Sequence, residues 1–256
     1  MCEDNKMKHL VFGNGPKDLV IIPGLSFKPI CDSPQAVIDA YSFFTRDYTV
    51  WLFDRKTYCP KGYSIRDMAE DTVAEMKTLG IGKADIFGAS QGGMIAQYIA
   101  IDHPETVNKM VLASTACRNS DHSLNVFGKW NALASQGRVG DLVSLCVDTM
   151  YSPATLRKYR DVIVGNNDDI SDDDLARFVI MTRSIIDFDS SAELKNIVCP
   201  VLVIGCEGDK VFGPEPSCEI SNIIGAELYV YGSEFGHCVY DEAPDYKDRL
   251  SAFFGK

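Results

Sequence analysis

The stretch ADIFGASQGGMIAQYIA, residues 84–100, decides how this chain is read. An apolar run of strand length, Ala84 to Gly88, passes without a linker into a helical pattern that continues from about Gln91 to Asp102 and stops before His103-Pro104. The junction is a G-x-S-x-G, Gly88-Ala89-Ser90-Gln91-Gly92. At this chain's Gly and Ser frequencies about 0.1 chance matches to that pattern are expected, so the strand-to-helix context carries the weight. A serine nucleophile raised on a sharp turn of this kind needs glycines two residues away on either side, because neighbouring chain must come close.

Outward from that turn, apolar strands alternate with helices, the pattern of a mostly parallel α/β sheet flanked by helices. The strands read as Lys8–Phe12, Asp18–Gly24, Tyr48–Asp54, Ala84–Gly88, Lys109–Ser114, Pro200–Gly205 and Ala226–Gly232. The central ones are apolar almost throughout, as strands covered on both faces should be. Ser64 with Asp67 predicts an N-cap for a helix that buries Met68, Val73, Met76 and Leu79 and ends at Gly80, and a last helix is expected over Asp245–Phe254. The alternation breaks once. Cys199 lies 85 positions beyond Ser114, where a simple βαβ unit needs roughly 30 in all. Four helical stretches fill the gap: LNVFGKWNALASQG, VGDLVSLCVDTMY, PATLRKYR and DDDLARFVIMTRSI. The expected organisation is a core of residues 1–116 and 191–256 with a helical cap insertion at 117–190.

Composition narrows the function. With 25 Lys plus Arg against 36 Asp plus Glu, the net charge of −11 and the lack of a basic run argue against nucleic acid. No apolar run approaches the roughly 18 to 20 residues of a membrane span, and MCEDNKMKHLVFGNG reads as no secretory leader, so a cytoplasmic protein with no membrane partner is expected. Nine scattered cysteines, including Cys2, read as reduced thiols. With no C-x-x-C and four histidines, no metal site is expected.

A serine hydroxyl needs a base within reach and an acid to orient that base. Of the four histidines, His9 opens the first strand, His103 sits in a turn after a helix and His122 starts the insertion. His237 alone follows the last strand, at the sheet edge where open α/β sheets place their ligands. For the acid, Glu207 and Asp241 compete in sequence, and the loop Gly205-x-x-Gly208-Asp209 favours Asp209. The order is Ser90, Asp209, His237.

These landmarks, together with HPETVNKMVLAS (residues 103–114) and DEAPDYKDRLSAFF (residues 241–254), resemble the α/β-hydrolase superfamily over nearly the whole chain, in the group of small cap-bearing serine esterases and lactonases. The resemblance implies an oxyanion hole from the backbone N–H groups of Gln91 and Leu25. Relatives commonly carry His-Gly in the second loop, where this chain has Pro23-Gly24-Leu25-Ser26; a backbone donor survives that change. The usual first hairpin reads as trimmed, with about one strand before Asp18–Gly24.

The expected activity is hydrolysis of a carboxylic ester, thioester or lactone through an acyl-enzyme on Ser90, with no cofactor and a small-molecule acyl substrate as partner. The alternatives are carbon–carbon bond hydrolysis, acyl transfer or perhydrolysis by the same residues, and a ligand-binding regulatory member with little turnover. Ser26, Phe27, Met94, Phe127, Trp130, Leu133 and Met150 are the candidate pocket residues. The charge of −11, part of it in the NNDDISDDD tract, favours a neutral or weakly charged substrate unless basic residues reverse it locally.

Overall fold

A computed structural model describes residues 7–166 and 169–255; residues 1–6 with Cys2, Asn167-Asp168 of the acidic tract and Lys256 lie outside them. Seven strands form one sheet: β1 (Met7–Phe12), β2 (Lys17–Ile22), β3 (Tyr48–Lys56), β4 (Ala84–Ala89), β5 (Val107–Ala113), β6 (Val201–Cys206) and β7 (Glu227–Tyr231). Their spatial order is β1-β3-β2-β4-β5-β6-β7. Only β1 is antiparallel, pairing Leu10 with Leu52; the rest are parallel, with Leu19 opposite Val50, Ile21 opposite Phe87, Gly88 opposite Leu112 and Ile204 opposite Tyr229.

The continuous apolar strands divide their side chains between two cores. Val20, Ile22, Phe53, Ile86, Met110, Leu112 and Val203 face one side, against α2 (Ile65–Thr78) and α3 (Gln91–Asp102). Leu19, Ile21, Val50, Leu52, Phe87, Val111 and Ile204 face the other, against α1 (Pro34–Tyr41) and the C-terminal helix described below. Alternate residues of one strand thus serve opposite layers, which is why a helix-covered parallel sheet shows no polar face.

Helix α2 starts as the sequence predicts, with Ser64 and Asp67 exchanging bonds in a capping box, and is followed by Gly80 at φ +74°. Leu79 of its expected apolar face is only half-buried.

Between β5 and β6 the chain builds four helices, α4 (Asp121–Ser135), α5 (Val139–Met150), α6 (Pro153–Gly165) and α7 (Asp172–Ile186). Where this segment leaves and rejoins the sheet its two ends are pinned together: Ser190 N–H donates to Cys117 C=O (2.8 Å), and the Ser190 hydroxyl donates to Gln97 of α3 (2.8 Å). After β6 come α8 (Glu215–Ile224), α9 (Val239–Glu242) and α10 (Tyr246–Gly255). Among the described residues no helix is long and apolar enough to cross a membrane.

The strand order creates the site. From β2 the chain crosses to β3 on one side and then to β4 on the other, so the carboxyl ends of β2 and β4 diverge at a topological switch point. The loop carrying Gly24 leaves one of these ends and Ser90 leaves the other.

Candidate active site

Ser90 sits at φ +52°, ψ −119° between β4 and α3. A non-glycine residue there stores roughly 1–3 kcal/mol of strain, which the surroundings must over-determine. They do so through the backbone. Ser90 N–H donates to Ala113 C=O of β5 (2.8 Å), and Ser90 C=O accepts from Gly93 N–H (2.9 Å) and from the Thr115 hydroxyl (2.8 Å). The flanking glycines are required by contact. A methyl at Gly88 would lie 2.6 Å from the Gly92 carbonyl oxygen and 2.9 Å from Ala96, and a methyl at Gly92 would run into the Ile22 carbonyl of β2.

His237 approaches from the loop after β7. Its Nε2 stands 3.1 Å from Ser90 Oγ and its Nδ1 stands 2.8 Å from Asp209 Oδ2, with the His237 and Asp209 side chains both more than nine-tenths buried. Asp209 follows β6, and its other oxygen accepts the N–H groups of Val211 (2.8 Å) and Phe212 (3.1 Å), which fixes the carboxylate. The competing acids do not bond the imidazole: Glu207 is exposed, and so is Asp241, which lies in the short helix α9. The other histidines have partners elsewhere, His9 near Glu75 (3.4 Å), His103 on Glu70 (2.8 Å) and His122 on the Lys210 carbonyl (2.8 Å).

The His237 loop is clamped to the helical insertion. Glu242 accepts the N–H groups of Gly236 (2.6 Å) and Ser152 (2.8 Å), and Cys238 N–H donates to the Met150 carbonyl (3.0 Å). Met150 therefore meets this loop through its backbone.

Opposite, Gly24 lies against the serine: a methyl there would be 3.2 Å from Ser90 Cβ and 3.8 Å from Oγ. Leu25 comes next and is half-buried. The Gln91 N–H is the first of α3, among the four amides that a helix leaves without an internal acceptor. The Ser26 hydroxyl donates to the Lys28 carbonyl (2.7 Å), so it stabilises the turn. Phe27 stacks on Phe178 of α7 at 4.9 Å between ring centroids. Met94 is completely buried within the core. Phe127 and Trp130 of α4 pack edge to face (5.3 Å), and Leu133 packs half-buried against the same core.

Three features escaped the sequence reading. Phe212 bridges the insertion to the imidazole, 5.4 Å from Phe127 and 5.7 Å from His237 between centroids. The fully buried Gln91 side chain donates to the Met181 carbonyl of α7 (3.1 Å) and accepts from Arg55 (3.0 Å). Arg55 also donates to the Pro23 carbonyl, tying the end of β3 to the loop beside Ser90. The one available signal was the position of Asp54-Arg55 at the carboxyl end of a central strand.

The sequence model of the alpha/beta hydrolase fold family matches residues 23–143, a span that runs from the Pro23 loop through the serine turn. The chain has the α/β-hydrolase fold. Among the proteins it resembles is a putative carbamate hydrolase RutD of Pseudomonas syringae pv. syringae, 27% identical over 232 residues that cover 84% of this chain and 86% of that protein. Another is 3-oxoadipate enol-lactonase 2 of Acinetobacter baylyi, 24% identical over 178 residues, covering 66% and 65%. The fold superposes on that of MGS-M2, an alpha/beta hydrolase from a Medee basin deep-sea metagenome library, with a TM-score of 0.84 at 22% identity, covering 98% of this chain and 94% of the other. The enol-lactonase of Burkholderia xenovorans LB400 matches with a TM-score of 0.84 at 19% identity, covering 98% and 96%. At these identities the superpositions speak to the α/β-hydrolase fold.

Proposed function

We propose that this α/β hydrolase is a serine hydrolase that cleaves a carboxylic ester, thioester or lactone through an acyl-enzyme on Ser90. The observation that carries the reading is the continuous contact Ser90 Oγ, His237 Nε2 (3.1 Å), His237 Nδ1, Asp209 Oδ2 (2.8 Å), built on a strained strand-to-helix turn. In the proposed cycle His237 takes the Ser90 proton as Oγ attacks the acyl carbon. The imidazolium, held by Asp209, then gives that proton to the leaving alcohol, thiol or ring oxygen. Water, deprotonated by the same imidazole, releases the acid and restores Ser90.

The N–H groups of Gln91 and Leu25 are proposed to hold the oxyanion. Supporting this, Gly24 stands against Ser90 and the Gln91 amide is unused by its helix. The insertion, 117–190 in this reading, serves as a cap over the site, with Phe27 and Phe127 as walls and a small-molecule acyl compound as the substrate. The relatives named as a carbamate hydrolase and an enol-lactonase agree with acyl transfer to water.

The experiment is hydrolysis of p-nitrophenyl acetate and butyrate by the wild type, Ser90→Ala and His237→Gln. Saturable turnover that both substitutions reduce by at least about 10³-fold is expected. Turnover that Ser90→Ala leaves intact overturns the proposal.

A further inference from the structure

A buried charge imbalance lies one hydrogen bond from Gln91. Arg55 and Asp54 are neighbours at the end of β3, and Arg177 reaches them from α7; all three are at least 96% buried. Arg177 Nη2 donates to Asp54 Oδ1 at 3.2 Å. Asp54 also accepts the backbone N–H groups of Arg55 (3.2 Å) and Cys31 (3.0 Å).

One carboxylate thus faces two guanidinium groups. The other titratable groups around them do not restore the balance. Burial and the Asp54 charge hold the Cys31 thiol protonated, up to about 12, and burial raises Cys59 and Tyr63 as well. Lys56 and Asp71 pair with each other at 2.7 Å, as do Lys8 and Asp32 at 2.6 Å on the surface. Burial lowers Arg55 to about 10, so it stays charged at neutral pH. The surplus is one positive charge.

The donors are unspent as well. Among the described residues, Arg177 Nε and Nη1 and Arg55 Nε are buried with no hydrogen-bond partner. Each idle guanidinium N–H is a charge-assisted donor that a carboxylate oxygen can accept, and two of them stand on one desolvated side chain, on either side of the nitrogen that holds Asp54. The same α7 turn that carries Arg177 also carries Phe178, stacked on Phe27, and Met181, bonded to Gln91. The guanidinium is therefore fixed to the loop and helix that flank Ser90.

We propose that Arg177, supported by Arg55, binds a carboxylate of the substrate, so that the enzyme prefers esters or lactones carrying a second, free carboxylate. This rests on the serine-hydrolase reading and narrows its substrate class. It also reverses the expectation of a neutral substrate from the net charge of −11. Exposed acids are screened over roughly 8–10 Å of salt solution, whereas a desolvated guanidinium next to the site is not.

The test compares kcat/KM for matched pairs, corrected for spontaneous hydrolysis. In one series the carboxylate is on the acyl side: p-nitrophenyl hemiglutarate and hemiadipate against p-nitrophenyl 5-methylhexanoate and 6-methylheptanoate. In the other it is on the leaving group: butyryl glycolate against isobutyl butyrate. The wild type should favour the carboxylate member of one series by about tenfold to a hundredfold, the range of a charge-assisted bond. Arg177→Met should bring that ratio to near 1, and Arg177→Lys should keep part of it. Glutarate should inhibit wild-type hydrolysis of the neutral ester competitively and at lower concentration than butyrate, a reading that needs no variant. Neutral esters turned over with no carboxylate preference in either series overturn the carboxylate site alone. No turnover of any ester overturns the serine-hydrolase reading and this inference with it.

Discussion

Replacing Asp209 by Asn changes one atom and, on this structure, reverses the imidazole. Asp209 Oδ1 accepts two buried N–H groups, from Val211 (2.8 Å) and Phe212 (3.1 Å), while Oδ2 faces His237 Nδ1 at 2.8 Å. An asparagine keeps the first pair only by placing its carbonyl oxygen there. Its NH₂ then faces Nδ1, which must become an acceptor, and the ring proton moves to Nε2. That nitrogen stands 3.1 Å from Ser90 Oγ and can no longer take its proton. The opposite amide orientation would set an NH₂ against two N–H donors, at about 1–3 kcal/mol for each unsatisfied group, so it does not compete. The expected loss in kcat is about 10³- to 10⁴-fold, equivalent to roughly 4–5.5 kcal/mol of transition-state stabilisation. The fold should survive, because the two backbone bonds persist. Steady-state hydrolysis of p-nitrophenyl acetate beside a urea melt measures both quantities. An Asp209→Asn enzyme within tenfold of the wild type in kcat refutes the orienting role.

Other outcomes follow from single contacts. Gly92→Ala drives a methyl into the Ile22 carbonyl of a central strand, and such overpacking should cost about 1–3 kcal/mol, read as a lower urea midpoint; an unchanged midpoint contradicts it. Glu242→Gln turns one of two acceptors for the Gly236 and Ser152 amides into a donor, which should remove about 1–3 kcal/mol of stability and lower kcat more than it raises KM, since the loop carries His237. Burial raises the thiols of Cys31 and Cys117 to about 12 and of Cys206 to about 11, so the native state holds more protons than the unfolded chain above about pH 9 and stability falls as pH rises there. For the same reason iodoacetamide should label half-exposed Cys31 slowly at pH 7.5, about tenfold faster for each added pH unit up to pH 10; rapid labelling at neutral pH would be the opposite result.

Much of this architecture was written in local pattern. All seven strands and the helices α2 to α7 and α10 stand where apolar period, caps and prolines place them, because each is signalled within its own residues. Ser64-Asp67 and the Gly88-to-Gly92 turn are the clearest cases. The missed helices α1, α8 and α9 are short or open without a side-chain cap, and each is set by what it packs on. The serine, histidine and acid were legible because each hangs from a strand end. Phe212 sits in the same loop as Asp209, yet its place beside His237 depends on α4, far away in sequence. Arg177 lies in the stretch DDDLARFVIMTRSI, whose pattern signals a helix and nothing more. Its pairing with Asp54 spans 123 residues and carries no local signal. The net charge carries no information about this corner for a physical reason: a sum over the chain says little about one desolvated pair.

The central claim is that Ser90 is a nucleophile activated by His237. The most direct measurement is covalent labelling with a fluorophosphonate, followed by intact mass and peptide mapping. One adduct per chain is expected, on the peptide that carries Ser90, absent from Ser90→Ala and formed far more slowly by His237→Gln. No adduct on the folded wild-type protein, or an adduct that persists in Ser90→Ala, would contradict the account.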